Sequence, residues 1–478
     1  MLFMGLIASF LTARTWTDTQ GRTVEAEFVS ATQSTVTIRR DDDGRTFDLP
    51  LDRLSETDRA WVAARIAGDN AGSSSENKTT EAGGLAPSQL AVPVEEFNAL
   101  FGLPLLADDN LWDDEPASAA GRLRLPEEGR TSHFESYRVY PRNPVPVLGA
   151  SAYTVALQAS EGRITAVTFM FANRGDYPAF AGVGSGLVVV TKAALRAFEK
   201  TLEADFEKIS GTLTARLGEP RRESAAGSLD TGRKALRWEN GPHALLLAHD
   251  QEQMVSLKIV PVERTVAARL ASEQLRRLLE SRITRRANGD VILDQVPMIS
   301  QGPKGYCVPA TFERYLRYVG IPADMYELAM VADTNFGGGT TFAGMAGGID
   351  RYVRRQGRSL ERVSLKLTPA GLARYIDGGY PVIWGLFSTD AFNRVSSEHT
   401  RDRSGVTDWA AWKKTVSATA KKFTGTRSGA HACLIIGYNR ATNEIAFTDS
   451  WGPDYAERWV PAEVAQKISQ DEYWMISR

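Results

Sequence analysis

The chain has 478 residues, 43% hydrophobic and 24% charged, which is enough apolar material for about three ordinary domains. Its 56 basic and 58 acidic residues leave a formal charge of −2, which excludes a broad nucleic-acid footprint and a strong pull towards anionic membranes. Two cysteines and five scattered histidines exclude a disulfide-stapled scaffold and a Cys-rich zinc module.

The chain opens on an apolar run, Leu2 to Ala13, with no basic residues before it. It reads as a clipped or mis-started secretory signal over 1–13, with a buried first strand or a fraying end as the other reading. An extracytoplasmic location is the expectation that follows. No later segment reaches the roughly 18 uncharged apolar residues of a membrane span.

Residues 14–68 read as a small β-module. Val24, Ala26 and Phe28 alternate with polar residues, Val36 and Ile38 continue on a second strand, and Phe47, Leu49 and Leu51 on a third after the turn Asp41-Asp42-Asp43-Gly44. Ser55 and Asp58 are spaced as a helix capping box before Trp61 and Ile66. This stretch resembles the small SH3-like barrels of the Sla-homology type, which bacteria often place at the front of exported proteins. The resemblance implies a non-catalytic module that binds a protein or surface partner. Residues 69–92 follow as a linker, because Gly72-Ser-Ser-Ser and Gly83-Gly84 bury too little apolar surface to order themselves.

Residues 93–262 read as an α+β domain with no chemical motif. Thr154 to Leu157 and Ile164 to Phe171 are strands around Glu161-Gly162, and Leu195, Phe198, Leu202, Ile209 and Leu213 share one helical face. Three strands follow, at Ala235–Trp238, Ala244–Ala248 and Val255–Val260, the first two joined by Asn240-Gly241. A connecting helix is expected over about 264 to 286, within a segment 263–289, using Leu270, Leu275, Leu279 and Ile283 and stopped by Gly289.

The chemistry lies in 290–478. In Gln301-Gly-Pro-Lys-Gly-Tyr-Cys307-Val-Pro-Ala-Thr, Pro309 suits the first turn of a helix, and Phe312, Tyr315, Leu316 and Val319 continue it at helical spacing. Cys307 therefore sits at a helix N-terminus, where orphan N–H groups and the dipole favour a thiolate. Ala430-His431-Ala-Cys-Leu-Ile-Ile-Gly437 reads as a buried strand, and a hairpin into Ile445–Asp449 returns Asp449 towards His431. A carboxylate there orients the imidazole and stabilises its charged form. Phe336-Gly-Gly-Gly-Thr-Thr341 lacks the Gly-Lys-Ser/Thr ending of a phosphate loop and reads instead as a loop into a helix carrying Met345, Ile349 and Val353. The polar stretch between Phe387 and His431, with one amphipathic segment from Trp409 to Phe423, reads as either a lid or a surface helix.

Gln-x5-Cys at a helix start, then His leading an apolar strand, then Asp449-Ser-Trp-Gly, resembles the papain-like cysteine peptidases, and in particular their bacterial double-glycine-processing branch. The resemblance implies an α+β domain with a helix packed on an antiparallel sheet, in a multidomain α+β chain. It implies Cys307 as nucleophile, His431 as base, Asp449 as orienting group, and an oxyanion hole from the Gln301 side chain and the Cys307 backbone N–H. Asp449 stands where papain has asparagine, which marks a branch of the superfamily. A peptide or protein substrate and no metal or organic cofactor follow from the same resemblance. Two other readings stay open: a papain-like binding module without turnover, and a related acyl transferase or amidase. A Cys307–Cys433 disulfide is a further, minor alternative.

Overall fold

The computed structural model of the chain describes residues 14–20, 22–31, 35–40, 45–62, 90–180, 189–224, 234–250, 252–263, 270–303, 305–336 and 339–478. The apolar run 1–13, the turn 41–44, most of the linker 69–92 and the glycines 337 and 338 lie outside the described residues. The chain divides into two compact units, Met1–Ala86 and Pro87–Arg478.

In the first unit, β1 (Arg14–Thr17), β2 (Thr23–Ala31), β3 (Thr35–Arg40) and β4 (Thr46–Pro50) form an antiparallel meander in chain order. Among the described residues this is an open four-stranded sheet, not a closed barrel; a single bridge, Asp18 to Leu54, joins the end of β1 to the chain after β4. Alternation puts Trp16, Ala26, Val36 and Ile38 into one small core. Trp16, Phe28 and Trp61 pack ring to ring, with Trp61 edge-on to both partners. Asp58 secures the closing helical turn by accepting from the Ser55 hydroxyl at 2.9 Å and the Thr17 N–H at 2.7 Å.

The second unit begins with β5 (Glu127–Arg130), β6 (Phe134–Val139), the short hairpin β7 (Val145–Val147) and β8 (Ala150–Ala152), β9 (Thr154–Ser160) and β10 (Arg163–Asn173). β11 (Arg221–Ser224), β12 (Lys234–Asn240), β13 (His243–Asp250) and β14 (Met254–Pro261) follow the long helix Lys192–Leu217. Eight of these strands make one antiparallel sheet, ordered β11-β12-β13-β14-β10-β9-β6-β5. The helix buries Phe198, Leu202, Ile209 and Leu213 on it, the face its apolar spacing dictates. The described end of the linker is packed: Val92 is buried and exchanges two hydrogen bonds with the Asn240 amide.

The connecting helix is shorter than its apolar spacing suggests. It runs Ser272–Ser281, and Ile283 lies in β15 (Ile283–Arg285), paired with β16 (Asp290–Leu293). Gly289 does not stop the helix. It takes φ +89° in the turn of the β15–β16 hairpin, a conformation that favours glycine. Residues 264–269 lie outside the described set.

β17 (Ser359–Arg362), β18 (Val382–Phe387), β19 (Ala430–Asn439), β20 (Glu444–Thr448), β21 (Arg458–Pro461) and β22 (Ser469–Ser477) complete the second sheet. Its order is β15-β16-β19-β18-β22-β17, with β20 on the other edge of β19 and β21 beyond it. The helix Cys307–Tyr318 packs on β19 and is buried on every side, since all its residues but Arg317 lie in the core. Its two inward charges are satisfied locally: Glu313 pairs with Arg317 at 2.7 Å and accepts the Met325 N–H at 2.8 Å, while Arg314 donates to Pro297 O and Thr448.

The polar stretch after Phe387 forms two helices, Asp390–Arg403 and Trp409–Lys422. They are pinned by buried polar groups. Arg403 reaches both oxygens of Asp290 at 2.5 and 3.1 Å and Glu444 at 3.2 Å, and His399 Nε2 lies 2.6 Å from Glu444. Trp412 donates to the same Glu444 oxygen at 3.1 Å. This segment is therefore packed on the domain through one face, and the outer face of Trp409–Lys422 stays exposed, as in the surface-helix reading of it.

Candidate active site

The backbone turns into a helix at Cys307 with Tyr306 at the N-cap, and Tyr306 offers no side-chain cap. The first N–H groups of the helix are thus left for another acceptor at that end. β19 runs beside this end and carries His431 and Cys433 on alternate positions of one face. The turn after β19 closes at Asn443, with φ +61°, and β20 returns with Leu434 opposite Thr448 and Ile435 opposite Phe447. Asp449 follows directly, and its Oδ1 lies 2.8 Å from His431 Nε2.

Cys307, His431 and Asp449 are 9%, 6% and 1% exposed, so their charges interact across little water. Burial works against ionisation of the Cys307 thiol, but the hydrogen bond and charge of His431, helped by the N–H groups of Ala432 and Val308, hold it below its ordinary range. Burial likewise opposes the imidazolium of His431, yet Asp449 and Cys307 raise its pKa to about 9. Asp449, despite burial, is held below the usual carboxylate range by His431 and Arg458. The arrangement favours a thiolate–imidazolium pair with a carboxylate behind it.

Gln301 is tied to the segment that follows Asp449. Its N–H donates to Ser450 O at 2.8 Å, and the Ser450 hydroxyl donates to Gln301 Oε1 at 2.8 Å. The Trp451 ring stacks on His431 with centroids 4.8 Å apart and lies edge-on to Tyr455. Cys433 is a buried free thiol, as is Cys307, and burial pushes it well above its ordinary range. Among the described residues no group of three or more His, Cys, Asp or Glu is placed to hold a metal ion.

Arg458 belongs to the same network, although no motif announces it. It is buried, and its guanidinium reaches Asp449 Oδ2 at 2.5 Å. The one signal in the sequence is a lone charge opening the otherwise apolar strand Arg458-Trp-Val-Pro461.

The other unforeseen contributors come from the first sheet of this unit, which grips the segment leading to Cys307. Glu128 accepts the Ser300 N–H at 2.6 Å, and Tyr140 donates to Ser300 O at 2.6 Å. Gln295 accepts the Ser132 N–H, and Tyr306 donates to Asn173 Oδ1 at 2.9 Å. These pairs join residues more than a hundred positions apart, so no local pattern announces them. Gly175 lies so close that a Cβ there would stand 2.0 Å from Tyr306 Oη. Gly175→Ala will therefore displace Tyr306, lower stability by about 1–3 kcal/mol and slow alkylation of Cys307. Gly121→Ala, at an exposed helix position where a Cβ meets nothing within 4 Å, will leave labelling unchanged and raise stability by up to about 1 kcal/mol in the same thermal-unfolding and labelling assays.

Residues 293–477 match the family model described as Peptidase_C39 like family. The match assigns the C-terminal region a cysteine-peptidase-type fold. No curated protein matches the chain. Among the described residues, no helix is long and apolar enough to cross a membrane.

Proposed function

We propose that the C-terminal region is a cysteine peptidase working through Cys307, His431 and Asp449. The observation that carries the reading is the contact chain in which His431 lies between the Cys307 thiol and the Asp449 carboxylate at a helix N-terminus. The Cys307 thiolate attacks a peptide carbonyl, the His431 imidazolium protonates the leaving amine, and water then hydrolyses the thioester. The developing oxyanion is received by the Cys307 backbone N–H and the Gln301 side chain. Ser450 supports that role for Gln301 by engaging its Oε1, which assigns the NH₂ end as the donor.

The first unit enters this reading as a non-catalytic partner-binding module; residues 1–86 contain neither cysteine nor histidine. Export of the chain is part of the same proposal and rests on the apolar run 1–13.

The test is alkylation of the native protein by iodoacetamide at mildly acidic pH, with peptide mapping. Ordinary thiols, with a pKa of about 8.5, are almost wholly protonated there. Cys307 will label fast and Cys433 slowly, and His431→Ala will remove the fast reaction. Equal, slow labelling of both cysteines would point to a binding module without turnover. In a substrate assay the activity will fall at low pH as the thiolate is protonated, and again near pH 9 as His431 loses its proton.

A further inference from the structure

The structure points to a fourth member of the site: we infer that Arg458 is a positioning residue that acts through Asp449. The inference rests on the proposed roles of Cys307 and His431.

Arg458 opens β21, beside β20, and faces the catalytic carboxylate from behind. Its Nη1 takes Asp449 Oδ2, while His431 takes Oδ1. A carboxylate gripped at both oxygens cannot swing, so its plane and that of the imidazole are fixed together. The guanidinium is itself held. Nη2 donates to Asn393 O at 3.2 Å, Ser396 Oγ at 2.8 Å and Ser397 Oγ at 3.2 Å, all on the helix Asp390–Arg403. The rings of Phe447, Tyr455 and Trp451 stand 5.0, 5.5 and 5.6 Å from its centre. The helix inserted before β19 thereby holds the arginine that holds the carboxylate.

The charge of the arginine gives it a second effect. Along the contacts run a thiolate, an imidazolium, a carboxylate and a guanidinium, alternating in sign. Removing the last takes a cation away from the second Asp449 oxygen and makes the buried site more negative by one charge, which disfavours the thiolate. The other groups near Asp449 do not replace its bond to the carboxylate. Arg314 is a second buried cation that acts on Asp449 through space, but its donors go to Pro297 O, Thr448 O and Thr448 Oγ1, and Cys433 is kept neutral by burial. A guanidinium also serves two sets of acceptors at once, where a lysine ammonium reaches one.

The test is a cycle in the full-length protein: wild type, Arg458→Met, Asp449→Asn and the double variant, with Arg458→Lys alongside. Two quantities are read, the rate of Cys307 alkylation at mildly acidic pH and the His431 Nε2–H proton resonance in histidine-labelled protein. Arg458→Met is expected to slow alkylation about tenfold or more and to shift the His431 resonance or lose it to solvent exchange, with Arg458→Lys in between. In the Asp449→Asn background the same change is expected to cost about threefold or less, because the stranded guanidinium leaves with its partner. An equal cost in both backgrounds, or a His431 resonance indifferent to Arg458→Met, would overturn the assignment. Should Arg458→Met fail to fold, the double variant and Arg458→Lys decide: a double variant labelling about tenfold or more slower than Asp449→Asn, or a lysine variant identical to wild type, would equally overturn it. The resonance needs no reactivity at Cys307. If the wild-type thiol labels slowly while the resonance responds to Arg458, the peptidase reading fails and the positioning role stands.

Discussion

Replacing Cys307 by alanine will lower peptide hydrolysis by about 10⁴-fold or more and leave the fold intact. What the sulfur does and what its burial does are separable. Cys307 opens a helix whose packing rests on Phe312, Tyr315 and Leu316, none of which contributes to the nucleophile. Truncation removes one sulfur at the edge of that core, a loss of about 1 kcal/mol at most, and it also removes a buried charge. Thermal unfolding will therefore be nearly unchanged while turnover disappears. A second signature follows from the titration. The thiolate is one of the two groups that raise His431, so in Cys307→Ala the imidazole will titrate below its value of about 9, a shift read by NMR. Full activity in this variant would remove the mechanism.

Asp290→Ala will cost about 3–5 kcal/mol of stability, measured by urea denaturation, and will reduce activity as well. The Asp290 side chain is fully buried and receives Arg403 at both oxygens, with the Asn439 and Asn288 amides at 2.7 and 2.9 Å. Alanine strands the Arg403 guanidinium on Glu444 alone, in a place where water cannot replace the lost partner. The loss of activity follows because Arg403 ends the helix whose middle, from Asn393 to Ser397, contacts Arg458. Were the helices Asp390–Arg403 and Trp409–Lys422 a lid that opens freely, the same substitution would leave stability within a few tenths of a kcal/mol.

Elements whose signals are local are legible in the sequence. The turn at Glu161-Gly162 has both residues at positive φ, 52° and 74°, as a tight hairpin requires, and the helix over Lys192–Leu217 buries the residues that its spacing selects. The start of a helix at Cys307 follows from Pro309 and the apolar repeat behind it. Ile283 misleads because a residue four positions after Leu279 fits a helical face as well as a strand; pairing with Leu293 decides for the strand. The helix Asp390–Arg403 reads as plain polar chain, since two of its buried positions are His399 and Arg403. Burial achieved by charge pairing leaves no hydrophobic period to detect. In the candidate site, Cys307, His431 and Asp449 each carry a local cue and the structure brings them together. Arg458, Glu128 and Asn173 act through partners known only once the sheets are assembled.

Residues 300 and 301 are held from two sides: the Ser300 N–H ends on Glu128 of β5, and the next amide, Gln301, ends on Ser450 O beyond β20. Neighbouring amides tied to different sheets exchange with solvent together only in openings that part those sheets. Hydrogen exchange at Ser300 and Gln301 will thus report the integrity of the strands around 127–173 as faithfully as that of the C-terminal region. A ligand seated against Cys307 will slow exchange in β5 and β6, and the two sheets will lose their protection as one cooperative body.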